Sequence, residues 1–338
     1  MLAITNSRFF DGTTFREDFN IFIENEKISD ISADRGLSGY KIIDAGNNLL
    51  VPGLIDLQIY GSGGHLFSAQ PTAQTLEEMD QDLLNKGTTS FLACVATNTQ
   101  EVTDKAIIAA KNYRSGARGF LGLHLEGPYL NPKRRGAHIE AFIRKASLDE
   151  IKKLLDNGDG VIKMMTIAPE TQEDNVIHYL IDNNVVLSLG HSNATFIEAT
   201  NAYNKGIATT THLFNAMSPL HHREPGIPTA AFNHPSAMSS IIADGYHVDF
   251  EVIRTTERIM GNRLFLISDA VTACNEGPYQ HRLQGDKFIT ADGTLSGSNI
   301  TMLQAVQNCV EHCGISIARA INMATANPAS LLKSEIQT

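Results

Sequence analysis

Four polar side chains follow short apolar runs of the chain, and their types suit metal-dependent hydrolysis. They are one glutamate, two histidines and one aspartate: Glu126, His191, His212 and Asp269. One carboxylate and two imidazoles make a three-ligand site for a divalent ion and leave a position open for water. A bound ion lowers the pKa of water from ~15.7 towards ~7, and the second carboxylate can accept the proton. One such residue alone is usually structural, but four at equivalent positions indicate a hydrolytic site.

His124 lies two positions before Glu126, so both side chains point the same way along an extended strand. It is either a partner that orients a ligand or an alternative ligand. Seven further histidines are interpreted as surface or loop residues rather than ligands: His65, His178, His221, His222, His234, His281 and His312.

Eight apolar runs alternate with helical patterns after Val51, which is typical of parallel strands buried on both faces. The runs cover 51–58, 91–97, 120–126, 161–168, 185–191, 208–214, 238–243 and 264–270. Eight strand–helix units in series favour a closed barrel, with an open doubly wound sheet as the alternative. The four polar residues fall at the ends of runs three, five, six and eight. Because barrel chemistry lies at the carboxyl ends of the strands, they should meet there.

The helices and the first fifty residues complete the predicted architecture. Helix starts are indicated by a Ser or Thr three residues before a Glu: Thr75 with Glu78, Ser147 with Glu150, and Thr195 with Glu198. The N-terminal segment alternates apolar and polar residues between turn signals, so it predicts strands. We expect an α/β fold: a small β-sandwich-like domain in residues 1–50, a (β/α)8 TIM-type barrel in 51–330 and a short tail in 331–338.

The charge balance narrows the choice of partner. The chain has 27 basic and 37 acidic side chains, a formal net charge of −10. This acidic field argues against nucleic acid or an anionic membrane as the partner, so we expect the partner to be a small molecule. The N-terminus lacks a signal-peptide pattern and no run has the length of a membrane span, so a cytoplasmic location is expected. The four cysteines form no CxxC pair and are interpreted as core residues.

Eight segments of the chain resemble, in order, the N-acetylglucosamine-6-phosphate deacetylases of the amidohydrolase superfamily. They are PGLIDLQ from Pro52, HLEGPYL from His124, GHS from Gly190, THLFNAM from Thr211, REPG from Arg223, IADGYH from Ile242, SDA from Ser268 and GTLSGS from Gly293. Each segment is modest alone. Together they span most of the chain and are highly specific.

The resemblance implies a role for each matching residue. Glu126, His191 and His212 match metal ligands, Asp269 matches the catalytic acid/base, and His138 matches the histidine that polarises the acetyl carbonyl. Matches to substrate contacts are Ala137, His138, Asn215, Ala216, Arg223, His247, Leu295, Ser296 and Gly297. Among these, Arg223 and His247 match phosphate-binding groups, and in the family the neighbouring subunit of a dimer takes part in this pocket. A guanidinium suits phosphate because its planar fork bonds two oxygens at once.

Two departures from the superfamily pattern carry expectations of their own. Where many amidohydrolases have His-x-His for a second metal, this chain has Gln58 and Tyr60, which are poor divalent ligands. We therefore expect one divalent ion per chain, with zinc favoured on ligand grounds. In the family a further stretch after the barrel completes the small β domain. Here residues 1–50 are expected either to stand alone with an exposed edge or to need such a stretch.

The predicted reaction is hydrolysis of N-acetylglucosamine 6-phosphate to glucosamine 6-phosphate and acetate. The alternatives are a deacetylase of another N-acetylhexosamine phosphate, such as N-acetylgalactosamine 6-phosphate, and a non-catalytic sugar-phosphate sensor. A cyclic amidohydrolase of the dihydroorotase type is disfavoured because the His-x-His pair is missing. A sensor would not need the general base that Asp269 provides.

Overall fold

The N-terminal part of the chain forms short strands without intervening helices. The protein is represented by a computed structural model in which residues 1–332 are described, so residues 333–338 of the predicted tail lie outside the described residues. The strands are β1 (Leu2–Thr5), β2 (Arg8–Phe10), β3 (Phe15–Arg16), β4 (Asn20–Glu24), β5 (Lys27–Ser32), β6 (Lys41–Asp44) and β7 (Leu49–Leu50). They form one sheet in the order β5-β4-β1-β6 and a second in the order β3-β2-β7.

One face of the four-stranded sheet carries two rows of apolar side chains. Strand register places Ile43, Ile4, Ile21 and Ile31 side by side in one row, and Leu2, Ile23 and Ile28 in the other. These seven residues are called the isoleucine face. Ile28 is 63% exposed, Ile43 44% and Ile31 41%, so the outer strands present apolar surface to solvent.

The remaining strands build a closed parallel barrel with two small hairpins. They are β8 (Leu54–Ile59), β9 (Gly61–Ser62), β10 (His65–Leu66), β11 (Thr88–Ala96), β12 (Phe120–Glu126), β13 (Ile162–Ile167), β14 (Val186–Leu189), β15 (Thr209–Thr210), β16 (Met238–Ile242), β17 (Leu264–Ile267), β18 (Arg282–Gln284) and β19 (Lys287–Ile289). The sheet order is β17-β16-β15-β14-β13-β12-β11-β8. The ring closes where the Asp269 amide donates to the Gln58 carbonyl (2.9 Å) and the Tyr60 amide to the Ala270 carbonyl (2.9 Å). Each of the eight predicted runs overlaps one barrel strand, and the closed barrel is confirmed.

The helices surround this barrel. They are α1 (Ala73–Asn85), α2 (Gln100–Tyr113), α3 (Leu148–Gly158), α4 (Asp174–Asp182), α5 (Phe196–Asn204), α6 (Gly226–Asn233), α7 (Phe250–Met260), α8 (Met302–Glu311), α9 (Ile317–Ala324) and α10 (Ala326–Leu332). Ser147 caps α3, and Thr195 with Glu198 forms a capping box on α5, as predicted. The predicted start of α1 at Thr75 is wrong, because Thr72 is its cap. Within residues 1–332, no helix is long and apolar enough to cross a membrane.

Candidate active site

The strand ends bring Glu126, His191, His212 and Asp269 to one end of the barrel. Glu126 is the last residue of β12, and each of the others is the second residue after its strand. His191 (φ +46°), His212 (φ +30°) and Asp269 (φ +53°) all have left-handed backbone conformations. Such conformations are unfavourable for residues with a Cβ and cluster at functional sites. Here each of these three residues turns the backbone sharply just after its strand.

Glu126, His191 and His212 form one compact buried group. Glu126 Oε1 lies 3.2 Å from His191 Nε2 and 3.0 Å from His212 Nε2, and the two Nε2 atoms are 3.1 Å apart. Within residues 1–332, this is the one cluster of at least three such side chains with a compact ligand geometry. The structure therefore brings together the three predicted ligands.

The hydrogen bonds behind these ligands show that the group suits a cation. His191 Nδ1 faces the Arg134 carbonyl oxygen at 3.0 Å and must donate to it. In a neutral ring, Nε2 then carries a lone pair, which points at the carboxylate oxygen of Glu126. Two acceptors facing each other at this distance repel unless a positive charge lies between them. A backbone partner for the second ring nitrogen is also typical of metal-ligating histidines.

Burial sets the protonation of this group. It lowers the pKa of both His191 and His212, which favours the neutral imidazoles that bind metals. Burial alone would raise the pKa of Glu126, and positive charge beside its carboxylate holds that pKa well below the usual range. The group thus has the protonation states that a divalent ion requires.

Asp269 lies beside the ligand group. Its Oδ1 accepts a hydrogen bond from Gln58 Nε2 (2.7 Å), and the same amide donates to Glu126 Oε1 (3.1 Å). Tyr60 donates its hydroxyl to Glu126 Oε2. Gln58 and Tyr60 thus act as hydrogen-bond donors to the two carboxylates. Burial, and then the charge of Glu126, raises the pKa of Asp269 well above its ordinary value.

His124 and His138 have different surroundings. His124 is fully buried and both ring nitrogens are engaged: Nδ1 with the Leu57 carbonyl (3.0 Å) and Nε2 with the Thr166 hydroxyl (2.7 Å). It therefore belongs to the packed barrel interior. The interpretation of His124 as an alternative metal ligand does not fit, because both ring nitrogens are already engaged. His138 approaches from the loop after β12, with Nε2 3.1 Å from Glu126 Oε2.

A cavity of ≈ 170 Å³ opens above these side chains. It is lined by eight of the nine predicted substrate contacts, which are Ala137, His138, Asn215, Ala216, His247, Leu295, Ser296 and Gly297. The ninth, Arg223, is exposed outside the cavity, where its Nε donates to His222 Nε2 at 3.0 Å. No lysine or arginine of the described chain lines the cavity.

His247 is fixed on the cavity wall by two acceptors. Nδ1 contacts Asp244 Oδ2 at 2.6 Å, and Nε2 donates to the Ser296 carbonyl at 2.7 Å. Burial alone would raise the pKa of Asp244, but the hydrogen bonds and charge of His247, together with the Tyr246 amide, hold the pKa below its usual value. His247 therefore links the loop after β16 to the 295–297 segment.

Two aromatic residues of the cavity wall, Tyr279 and His281, are not among the predicted site residues. Tyr279 donates its hydroxyl to the Thr97 carbonyl (2.6 Å), and its ring packs edge-on against His138. His281, interpreted as a surface or loop histidine rather than a ligand, lies outside the ligand group in the segment before the hairpin, but it is buried and lines the cavity. Both precede the β18–β19 hairpin, and no pattern in the sequence predicts how that hairpin folds over the barrel.

A closed parallel barrel with a buried carboxylate and two imidazoles at its carboxyl end defines a metal-dependent hydrolase. Residues 49–337 match the model of the amidohydrolase family. The N-acetylglucosamine-6-phosphate deacetylase of Haemophilus influenzae is 34% identical over 97% of this chain and 88% of the relative, and that of Bacillus subtilis is 33% identical over 92% and 82%. The chain belongs to the amidohydrolase family and, within it, to the N-acetylglucosamine-6-phosphate deacetylases.

Solved structures agree with this assignment. The N-acetylglucosamine-6-phosphate deacetylase of Pasteurella multocida matches with a TM-score of 0.94 and 32% identity, covering 99% of this chain and 90% of that one. An aspartate-to-alanine mutant of the Mycobacterium smegmatis enzyme, in complex with N-acetyl-D-glucosamine-6-phosphate, matches with a TM-score of 0.90 and 30% identity, covering 98% and 90%.

Proposed function

We infer that this protein hydrolyses N-acetylglucosamine 6-phosphate to glucosamine 6-phosphate and acetate. The observation that carries this inference is the buried Glu126–His191–His212 group beside Asp269. The relatives that match nearly the full length of the chain are named N-acetylglucosamine-6-phosphate deacetylases. The Mycobacterium smegmatis relative was solved with this sugar phosphate. Their common fold supports the same substrate here.

The proposed roles follow from where each side chain lies. Glu126, His191 and His212 would hold a divalent ion, which supplies Lewis-acid polarisation and makes water a stronger nucleophile. We propose that Asp269 accepts a proton from the attacking water at its carboxylate and returns it to the leaving nitrogen. His138 donates a hydrogen bond to the acetyl oxygen, where negative charge develops. The cavity walls orient the sugar.

We propose that one ion binds per chain and that it is zinc. Two imidazoles and one carboxylate suit zinc, and Gln58 and Tyr60 use their polar groups as donors to Glu126 and Asp269. Elemental analysis of protein purified without chelator should give about one equivalent of zinc per chain. Two tightly held equivalents, or another metal that supports faster turnover, would contradict this assignment.

We propose a homodimer in which Arg223 of each chain completes the phosphate pocket of its partner. Among residues 1–332, the cavity of a single chain offers a phosphate no lysine or arginine, while Arg223 is exposed outside it. Arg223→Ala and Asp269→Asn proteins should each be nearly inactive, and mixing them should restore part of the activity. The restored site combines intact Asp269 with Arg223 from the other chain. A dimer without restoration would place Arg223 in its own chain's site.

We further propose that the enzyme works in the cytoplasm. The four cysteines are free thiols in the described chain, which fits a reducing compartment. Activity that follows the cytoplasmic fraction when cells are separated into compartments is the expected result, and activity in a secreted or membrane fraction would contradict it.

Acetate release from a panel of N-acetylhexosamines tests the function directly. We expect the highest kcat/KM with N-acetylglucosamine 6-phosphate, a lower value with N-acetylgalactosamine 6-phosphate and little activity on the unphosphorylated sugar. Loss of the phosphate should lower kcat as well as binding, because remote binding energy positions the amide. A preference for the galactosamine epimer would change the substrate assignment. Binding without acetate release from any of them would indicate a sensor.

A further inference from the structure

Ser296 is held in the cavity wall by three separate contacts. Its amide donates to the Phe288 carbonyl at 3.0 Å. Its carbonyl accepts from His247 Nε2 at 2.7 Å, and its hydroxyl contacts His281 Nδ1 at 2.6 Å. The β18–β19 hairpin, the 295–297 segment and the loop after β16 are therefore tied together on one side of the cavity.

His281 is oriented by this arrangement and keeps one nitrogen free. Nδ1 contacts the Ser296 hydroxyl. The backbone amide and carbonyl of His281 both hydrogen-bond to the backbone of Cys274. Nε2 has no hydrogen-bond partner within residues 1–332, and the atom is accessible to solvent. Since the residue is buried and lines the cavity, the free nitrogen faces the open space of the cavity.

The electrostatic surroundings fit a hydrogen bond rather than an ion pair. Burial lowers the pKa of His281 to about 4, so the ring is neutral near pH 7. A neutral imidazole offers one donor and one acceptor, which suits a sugar hydroxyl. His247, in contrast, is bonded to the Asp244 carboxylate and belongs to the predicted phosphate contacts.

We propose that His281 is a specificity-determining residue that hydrogen-bonds, through Nε2, a ring hydroxyl of the bound hexosamine. This proposal rests on the proposed function. It adds a polar contact to the sugar from the hairpin after β17, on the same wall as His247 and Ser296. A site that bonds a particular hydroxyl rejects analogues that lack it, because its own polar group is then left unpaired.

Two substitutions separate this role from simple support of Ser296. His281→Asn keeps an amide near the position of Nδ1, so it can still bond Ser296, but it removes the nitrogen that faces the cavity. His281→Gln places its amide near the position of Nε2 and gives up the bond to Ser296. A supporting role predicts that Gln is the more harmful change, whereas contact with substrate predicts that Asn is. His178→Asn, on the exposed face of α4, is the control.

The measurement is kcat/KM for N-acetylglucosamine 6-phosphate and for its 3-deoxy and 4-deoxy analogues. Wild-type enzyme should discriminate against one of the two analogues. His281→Asn should lower kcat/KM on the parent sugar ~5- to 10-fold, mainly through KM, as expected for one lost hydrogen bond. On the analogue that wild type discriminates against, kcat/KM of His281→Asn should equal that of wild type, so the discrimination disappears. His281→Gln should keep most of the discrimination, and His178→Asn all of it.

Three results would overturn the proposal. They are equal discrimination in wild type and His281→Asn, a larger loss in His281→Gln than in His281→Asn, and a fall in melting temperature that accounts for the lost activity. Wild-type enzyme that releases no acetate from the parent sugar would instead refute the proposed function. The two failures are therefore distinguishable in one set of assays.

Discussion

Asp269 is the side chain whose loss should separate catalysis from metal binding. It lies outside the Glu126–His191–His212 group and is fixed by Gln58. Asp269→Asn should lower kcat by about 10²- to 10⁴-fold, because an amide cannot accept the proton. The ion content should stay the same, since no ligand is changed. Steady-state assay and elemental analysis of one preparation measure both, and near-normal turnover would remove Asp269 from the mechanism.

Asp56 should make stability depend on pH. It is fully buried beneath the site, and burial raises its pKa from 3.8 to about 6. Below pH 3.8 the folded and unfolded chains both hold the proton. As the pH rises, the unfolded chain loses it first, so stability falls until about pH 6, by roughly 3 kcal/mol in total. Asp56→Asn keeps two acceptor contacts but does not titrate. The stability of the variant relative to wild type should therefore increase as the pH rises.

Thermal melts of both proteins at several values between about pH 4 and about pH 7 measure this difference. A Tm difference that stays constant across the range would show that Asp56 is ionised in the folded state. Asp292→Asn is the control on the exposed turn after β19, where hydrogen bonds from Thr290 and Thr294 depress the pKa to about 2.

At the residue scale, sequence predicted that the four strand-end side chains meet but did not predict the full cavity wall. Glu126, His191, His212 and Asp269 could be predicted because each follows a buried strand, and parallel strands end at the same side of a barrel. Gln58 was recognised as a departure from the superfamily, yet its two hydrogen bonds depend on ring closure between the first and last strands. His281 could not be placed because its burial comes from the hairpin folding over the barrel.

At the scale of elements, the barrel strands were predictable because burial on both faces leaves continuous apolar runs. Two helix starts were predicted from capping residues. The error at α1 has a local cause: Thr75 is buried on the inner face of the helix and donates its amide to the Thr72 side chain. Spacing alone does not distinguish a cap from a threonine one turn inside the helix.

The 295–297 segment passes close to the catalytic strand end, and Gly297 makes this approach possible. A Cβ on Gly297 would come within 2.4 Å of the Asp269 carbonyl oxygen. Gly297→Ala should push the segment away from Asp269 and lower kcat/KM more than about tenfold, because small displacements of positioning groups are harmful. Gly36→Ala, where a Cβ meets no atom within 4 Å, is the matched control. Equal activity of the two variants would contradict a role for this contact.

For the whole molecule, the ion should contribute to stability as well as to chemistry. Without a cation, His191 Nε2 and Glu126 Oε1 direct acceptors at each other inside the barrel. An ion present at 100 times its Kd stabilises the folded chain by about 2.7 kcal/mol. Chelation should therefore lower Tm by several degrees, and Glu126→Gln should abolish that response while Asp269→Asn keeps it. A chelator-independent Tm in the wild type would contradict the proposed site.

The isoleucine face gives the molecule a property unrelated to turnover: its colloidal behaviour. Within residues 1–332 this outer sheet has two unpaired edge strands beside its apolar rows, and both features favour sheet-to-sheet growth between molecules at high concentration. Replacing Ile28 and Ile43 with threonine keeps the strand preference but removes apolar surface. The double variant should scatter less light and bind less of a hydrophobic dye, with kcat unchanged because both residues lie outside the cavity. Unchanged scattering would show that this surface does not drive self-association. Lower scattering would mean that the small sheet, rather than the barrel, sets the concentration at which the enzyme precipitates.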